Sequence, residues 1–200
     1  AVGIAGWIKV ESMAKRQEEI ARVNEKFDAG GVTFRVLSAS EVDIKSDFSL
    51  DFPDAILESL DLVVGAVHTK FSQDRETMTK RIVTAMENPH VDIIAHPTGR
   101  VLGKRDPYEV NMERLMEAAK DTGTILELNA FPDRLDLNDI HCRMAKDYGV
   151  RVAISTDAHD AAQMGPVIKY GVATARRGWL EAKDVVNTRG LDAVLRMLKG

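Results

Sequence analysis

The stretch Val150-Arg-Val-Ala-Ile-Ser-Thr-Asp-Ala-His159 decides how this chain is read. Its apolar run has the character of a buried strand, and it ends abruptly in Asp157 and His159, two natural metal ligands. In extended backbone successive side chains alternate faces, so positions i and i+2 can address one site. Four other strand-like runs lead into a comparable residue. Residues 33–37 precede Glu41, 62–67 precede His68, 91–95 precede His96, and 124–128 precede Asn129.

Between these runs the apolar period changes to that of a helix. Residues 12–27 place Met13, Ile20, Val23 and Phe27 on one face, and residues 49–60 read as a turn and short helix with Pro53 in its first turn. Residues 75–88 carry Met78, Ile82, Val83 and Met86 at core spacing, and residues 108–121 repeat the pattern through Met112, Leu115, Met116 and Ala119. Gly123 and Gly149 stop that helix and the next, over 135–148. Shorter helices are expected over 161–170 and 181–187, and Leu191, Val194, Leu195 and Leu198 form the face of a last one. Strand and helix alternate about every thirty residues, which predicts α/β architecture built from parallel βα units with right-handed crossovers. In a βα barrel the active site lies at the carboxyl ends of the strands, where Glu41, His68, His96, Asn129, Asp157 and His159 are all expected.

A chain of 200 residues without a linker or low-complexity segment is expected to form a single domain, 1–200. Hydrophobic content of 44% and charged content of 29% are ordinary for a globular protein, and no apolar run approaches a membrane span. The apolar start, Ala1 to Trp7, is short and lacks a basic leader, so no secretion signal is expected. A single cysteine, Cys142, allows no internal disulfide and fits a cytoplasmic location. The net charge of −4 argues against a broadly basic nucleic-acid surface, although local cations can still hold phosphates.

Imidazole nitrogen and carboxylate oxygen are the usual ligands of zinc, manganese and iron, and Glu41 could bridge two ions. Asn129 could orient substrate or cap a turn. Lys70, Arg100, Arg134, Arg176 and Arg177 could clamp phosphate, with Arg176-Arg177 placed in a loop between Gly171 and Gly178. His90 precedes its strand and so falls at the wrong end, and His141 lies in a helix, so both read as structural. Asp43, two residues from Glu41, could be a further ligand but reads first as a solvated loop carboxylate.

Several strings resemble the PHP family, named for polymerase and histidinol phosphatase. They are Glu41-Val-Asp, Val67-His68, Ala95-His96-Pro-Thr-Gly-Arg100, Leu126-Glu-Leu-Asn129-Ala-Phe-Pro-Asp-Arg134-Leu-Asp-Leu-Asn-Asp and Ser155-Thr-Asp157-Ala-His159. The histidine-96 and arginine-134 strings, with Thr174-Ala-Arg-Arg-Gly-Trp-Leu180, are similar to the carboxyl-terminal PHP domain of bacterial and archaeal family X DNA polymerases. The resemblance covers essentially the whole chain. It implies a distorted seven-stranded TIM-like βα barrel holding up to three divalent ions, manganese or zinc and in some cases iron, that hydrolyses phosphoesters. For the polymerase-linked members it implies 3′–5′ exonuclease action on DNA 3′ ends, with a polymerase domain on the amino-terminal side.

Carried over, Glu41 would bridge two ions, His68 and His96 would bind one, Asp157 the other and His159 the third. Glu41, Asp157 and Asn129 become the expected catalytic set, and Lys70, Arg100, Arg134 and Arg176 the phosphate contacts. The family's opening His-x-His motif and its Asp-His pair are not found in this sequence. The expectation is therefore an incomplete barrel of about five strands lacking the first two, with a weakened third site and an open edge that favours self-association. Two alternatives accompany the exonuclease reading: a small-molecule phosphatase resembling histidinol phosphatase, and a non-catalytic metal-binding module of a repair polymerase.

Overall fold

The computed structural model describes residues 10–198, so the Ala1 to Trp7 stretch lies outside the described residues. Five strands, β1 (Ala39–Asp43), β2 (Leu62–Ala66), β3 (Ile93–Ile94), β4 (Ile125–Asn129) and β5 (Val152–Ser155), form one sheet. All neighbouring pairs are parallel, and the order β1-β2-β3-β4-β5 follows the sequence without reversal. A doubly wound sheet would reverse its order at a switch point; steady progression is the winding of a barrel. The expected α/β fold of parallel βα units is what the chain adopts, with five strands consistent with part of a TIM-like barrel.

The connecting helices are α1 (Val10–Ala29), α2 (Asp54–Leu57), α3 (Arg75–Glu87), α4 (Met112–Thr122), α5 (Asp139–Tyr148), α6 (Ala161–Arg177) and α7 (Leu191–Leu195). Asp74, Asn111, Asn138 and Asp160 cap α3 to α6, their side chains accepting from first-turn N–H groups that would otherwise lack partners. Met78, Ile82, Ala85 and Met86 of α3 and Leu115, Met116 and Ala119 of α4 are buried, joined by Val42, Val63, Ile94, Leu126 and Leu128 from the strands. Burial of such side chains contributes roughly 1.5–3 kcal/mol each.

Several boundaries differ from the sequence expectation. The first strand begins at Ala39, not within 33–37, because pairing with β2 starts at Ala39 opposite Leu62, and Thr33 to Arg35 stay exposed. Glu41 therefore lies inside β1 and not beyond its end. Residues 108–111 and 135–138 are not helical: Asn111 and Asn138 are the caps, so α4 and α5 begin at Met112 and Asp139. Before Asn138 the chain folds back over β4, with Asp136 bridging Asn129 and the Leu137 N–H donating to the Glu127 carbonyl. Helix α6 runs through Pro166 and Gly171 to Arg177, so Arg176 and Arg177 belong to its last turn and not to a loop. Residues 181–187 form two 3-10 turns, Ala182–Asp184 and Val186–Thr188, in place of a helix. Val23 is 39% exposed, and Asn24 takes the buried position on α1 instead.

Side chains occupy backbone at both flanks of the sheet. The Asn187 amide accepts from the Ile154 N–H at 2.7 Å and donates to the Ile154 carbonyl at 2.9 Å, imitating a further strand beside β5. Asn24 does the same for Val36, just before β1. Such pairing removes part of the template that an open edge offers to another chain.

Helix α6 reaches the sheet only because residue 171 is glycine. A Cβ there would lie 2.5 Å from Ile154 Cγ2 and 2.7 Å from Ala130 Cβ. Neither neighbour is the end of a flexible side chain, so Gly171→Val is expected to destabilise the protein by about 1–3 kcal/mol through overpacking. The measurement is the urea midpoint; an unchanged midpoint would show that α6 can lift from the sheet without loss.

Candidate metal centre

The parallel sheet brings its chemical residues to one edge. Glu41 projects from β1 toward the carboxyl end, while His68 and His96 each lie two residues past their strands. The His68 Nε2 lies 2.8 Å from Glu41 Oε1, and His96 Nε2 is 4.0 Å from the same oxygen. The two imidazole rings meet edge to face, with centroids 5.4 Å apart. Ligand atoms of these three side chains all fall within 4.8 Å of one another, a spacing that could hold a metal ion.

The donor set suits a divalent cation. His96 is buried, and burial, helped by the Arg134 charge, lowers its pKa to about 4, so it is neutral at physiological pH. Its buried Nδ1 has no hydrogen-bond partner among the described residues. A neutral imidazole beside a carboxylate is what zinc, manganese or iron requires. Glu41 is half exposed, and although its partial burial acts to raise its pKa, the hydrogen bond from the His68 side chain leads the effects that hold it below the usual value.

His68 is oriented from behind. Asp43 Oδ1 accepts from the His68 backbone N–H at 3.1 Å and lies 3.3 Å from Nδ1. Burial opposes charge on His68, but the bonds to Asp43 and Glu41 outweigh it and raise its pKa to about 9. Asp43 is buried on β1, not a solvated loop residue. A carboxylate behind a histidine fixes its ring orientation, as in many metal sites, and a cation bound by His68 would displace the proton on Nε2.

Asp157 sits apart from this trio. Its Oδ2 accepts from the Asn129 amide at 3.2 Å and lies 3.5 Å from Arg134 Nε. Asn129 also accepts from the Phe131 N–H, so it caps a turn and orients Asp157 with the same amide group. His159 is 84% exposed, its Nδ1 turned 2.8 Å from the Asp157 main-chain oxygen. Arg134 keeps a buried Nη1 without a hydrogen-bond partner among the described residues. Arg100 donates instead to the carbonyls of Arg134 and Leu135, tying two loops together. Lys70 is exposed two residues past His68, and Arg176 is exposed on α6. His90 borders a small cavity at the opposite edge of the sheet, with Leu57, Leu60, Asp61 and Asp92. His141 lies in the first turn of α5, its N–H donating to Asn138.

Two buried carboxylates escaped the sequence reading. Glu127, in the middle of β4, accepts from the His96 N–H at 2.6 Å and from the Ser155 hydroxyl. Asp136 accepts from the Thr98 N–H at 3.0 Å. A charge inside the otherwise apolar Ile125–Asn129 strand was the available signal for Glu127; no periodicity marks Asp136. Of the six non-glycine residues with left-handed backbone among the described residues, five (Phe48, Lys70, His96, Leu135 and Asp157) lie in loops that follow the carboxyl ends of strands. Strain of this kind persists where the surroundings enforce it, and it concentrates at functional sites.

A parallel α/β sheet with a carboxylate and two imidazoles converging at its carboxyl edge is the class that fold and geometry define. No family model matches the chain. The chain is 42% identical over 196 residues to the DNA polymerase/3′-5′ exonuclease PolX of Bacillus subtilis (strain 168), covering 98% of this chain and 34% of that protein. It is 34% identical over 140 residues to a probable phosphatase of Thermoanaerobacter sp. (strain X514), covering 65% of this chain and 55% of the relative. A probable phosphatase of Acetivibrio thermocellus is 30% identical over 141 residues, with 66% and 55% covered. The chain thus spans about a third to just over half the length of these relatives.

Glu127 supplies a pH prediction. Burial raises its pKa to about 8, with the Glu41 and Asp157 charges adding to the effect against the hydrogen bonds from Ser155 and His96. A carboxyl group raised from 4.5 in the unfolded chain binds its proton more tightly when folded. Its stabilising contribution is complete below pH ~4.5 and is lost as pH rises through about 8. Glu127→Gln, which keeps the shape of the neutral acid, should remove that alkaline loss. Unfolding free energies of the metal-free proteins from pH 5 to 9 test this; parallel profiles for the two proteins would refute it.

Proposed function

We propose that this chain is a PHP-type phosphoesterase domain, a single unit over 1–200, whose substrate is the 3′ end of DNA. The observation that carries the reading is the Glu41, His68 and His96 cluster at the carboxyl edge of the sheet. The 42% identity to a protein named as a polymerase and 3′-5′ exonuclease supports the DNA substrate. On this reading the segment works within a longer cytoplasmic protein that carries a polymerase domain on its amino-terminal side.

Glu41, His68 and His96 would hold a divalent ion, manganese, zinc or iron, with Asp157 and His159 serving up to two more in a complete barrel. Such an ion supplies positive charge to a phosphoryl oxygen and acidifies water for attack in line with the leaving oxygen. The chain's own groups prepare the rest. Asp43 keeps the His68 ring aimed at Glu41. Asn129 and Arg134 hold Asp157, and the positive charge of Arg134 beside it would favour a phosphate oxygen. Lys70, two residues past His68, would attract the following phosphate, with exposed Arg176 a further candidate, while Arg100 contributes by bracing the Arg134 loop.

A second reading, a small-molecule phosphatase, is favoured by the relatives named probable phosphatases. The third, a metal-binding module without catalysis, stands on the Glu41, His68 and His96 cluster alone.

The purified chain supplied with manganese is expected to release nucleotides from 3′-recessed DNA faster than it releases phosphate from histidinol phosphate. His68→Ala or Glu41→Gln should lower that release by at least the ~100-fold that loss of supporting groups alone can cause. Faster turnover of histidinol phosphate would favour the second reading. Stoichiometric metal without hydrolysis of either substrate would favour the third. Sedimentation of the same sample tests self-association, for which a concentration-dependent dimer is the expected outcome.

A further inference from the structure

The side chain of Arg81 is fully buried on the sheet-facing side of α3, among Met78, Ile82, Ala85 and Met86. Buried guanidinium groups are rare without a carboxylate partner, yet among the described residues Arg81 hydrogen-bonds to neutral oxygens. Its Nε donates to the Ile44 carbonyl at 2.8 Å, and Nη2 donates to the same oxygen. Its Nη1 donates to the Thr69 carbonyl and to Gln73 Oε1, both at 2.9 Å. Ile44 directly follows Asp43, and Thr69 directly follows His68. One rigid guanidinium thus spans the two chain segments whose side chains form the Asp43, His68 and Glu41 relay.

An apolar residue of similar volume would satisfy the α3 core at no desolvation cost, and replacing buried charges in that way is often neutral or stabilising. The planar fork of arginine is suited to something else, the fixing of several acceptors at set positions. We propose that Arg81 is a positioning residue for the metal centre, clamping the ends of β1 and β2 so that His68 faces Glu41. The consequence for metal affinity rests on the metal-site reading above, while the clamp itself does not.

Three variants separate positioning from general stability. Arg81→Met removes the clamp, and Arg81→Lys keeps the charge but cannot fork, which provides a second variant if the first fails to fold. Met86→Ala empties a buried site on the same helix beside the amino end of the sheet, where the Met86 carbonyl accepts from Thr124, and so lowers stability away from the centre. The first readout is the His68 ring resonances of metal-free protein at one fixed pH. The second is manganese affinity by calorimetry.

Both Arg81 variants are expected to shift or broaden the His68 resonances and to weaken manganese binding about tenfold or more. Met86→Ala should lower the melting temperature without either effect. Unchanged His68 resonances in Arg81→Lys and in any folded Arg81→Met, or an equal change in Met86→Ala, would overturn the proposal. If the unmodified chain binds no manganese, the metal reading fails separately and the His68 resonances alone decide whether Arg81 is a clamp.

Discussion

Loops that leave the carboxyl edge of a parallel sheet carry N–H groups that no further strand can satisfy, and buried N–H groups without partners are costly. Here buried carboxylates take them. Asp43 accepts from His68, Glu127 from His96 and Asp136 from Thr98. The amino edge also uses carboxylates, buried Asp92 accepting from Val63 and exposed Asp61 from Ser38. These bonds set the direction in which each loop departs, and the ligand-type side chains follow that direction.

This solution gathers negative charge beneath the site. Asp43 and Glu127 lie under Glu41 and Asp157, and two outcomes appear side by side. Glu127, buried and facing the Glu41 and Asp157 charges, takes up a proton more readily, whereas His68 between Asp43 and Glu41 becomes more basic. A cation at the Glu41, His68 and His96 cluster would relieve the same crowding. Attraction for a divalent ion and the means of holding the loops therefore have one physical source.

Much was readable from sequence because burial on both faces writes itself into a strand as a continuous apolar run. Leu62-Val-Val-Gly-Ala and Ile125-Leu-Glu-Leu-Asn are strands in the structure, and the helical faces of 75–88 and 108–121 are buried where the period placed them. Boundaries moved where a cap or a pairing partner overruled the local pattern. Residues 33–37 have strand composition, yet their tie is to the Asn24 side chain, and β1 starts only where it meets β2. Arg81 has the appearance of a solvated helix cation, although its spacing of three from Met78 and four from Ala85 puts it on the buried face.

By itself the sequence determined the alternation of strand and helix, and with it the parallel sheet and the convergence of Glu41, His68 and His96 on one edge. Periodicity and parallel winding are local properties, repeated in each βα unit. Only the tertiary structure decided which of the candidate ligands meet. It set Asp157 against Asn129 and Arg134, turned His159 to solvent, moved Asp43 from a supposed surface loop to the back of His68, and placed Glu127 below His96. Those outcomes depend on the directions of loops held by residues tens of positions away, and such directions leave no period in the chain.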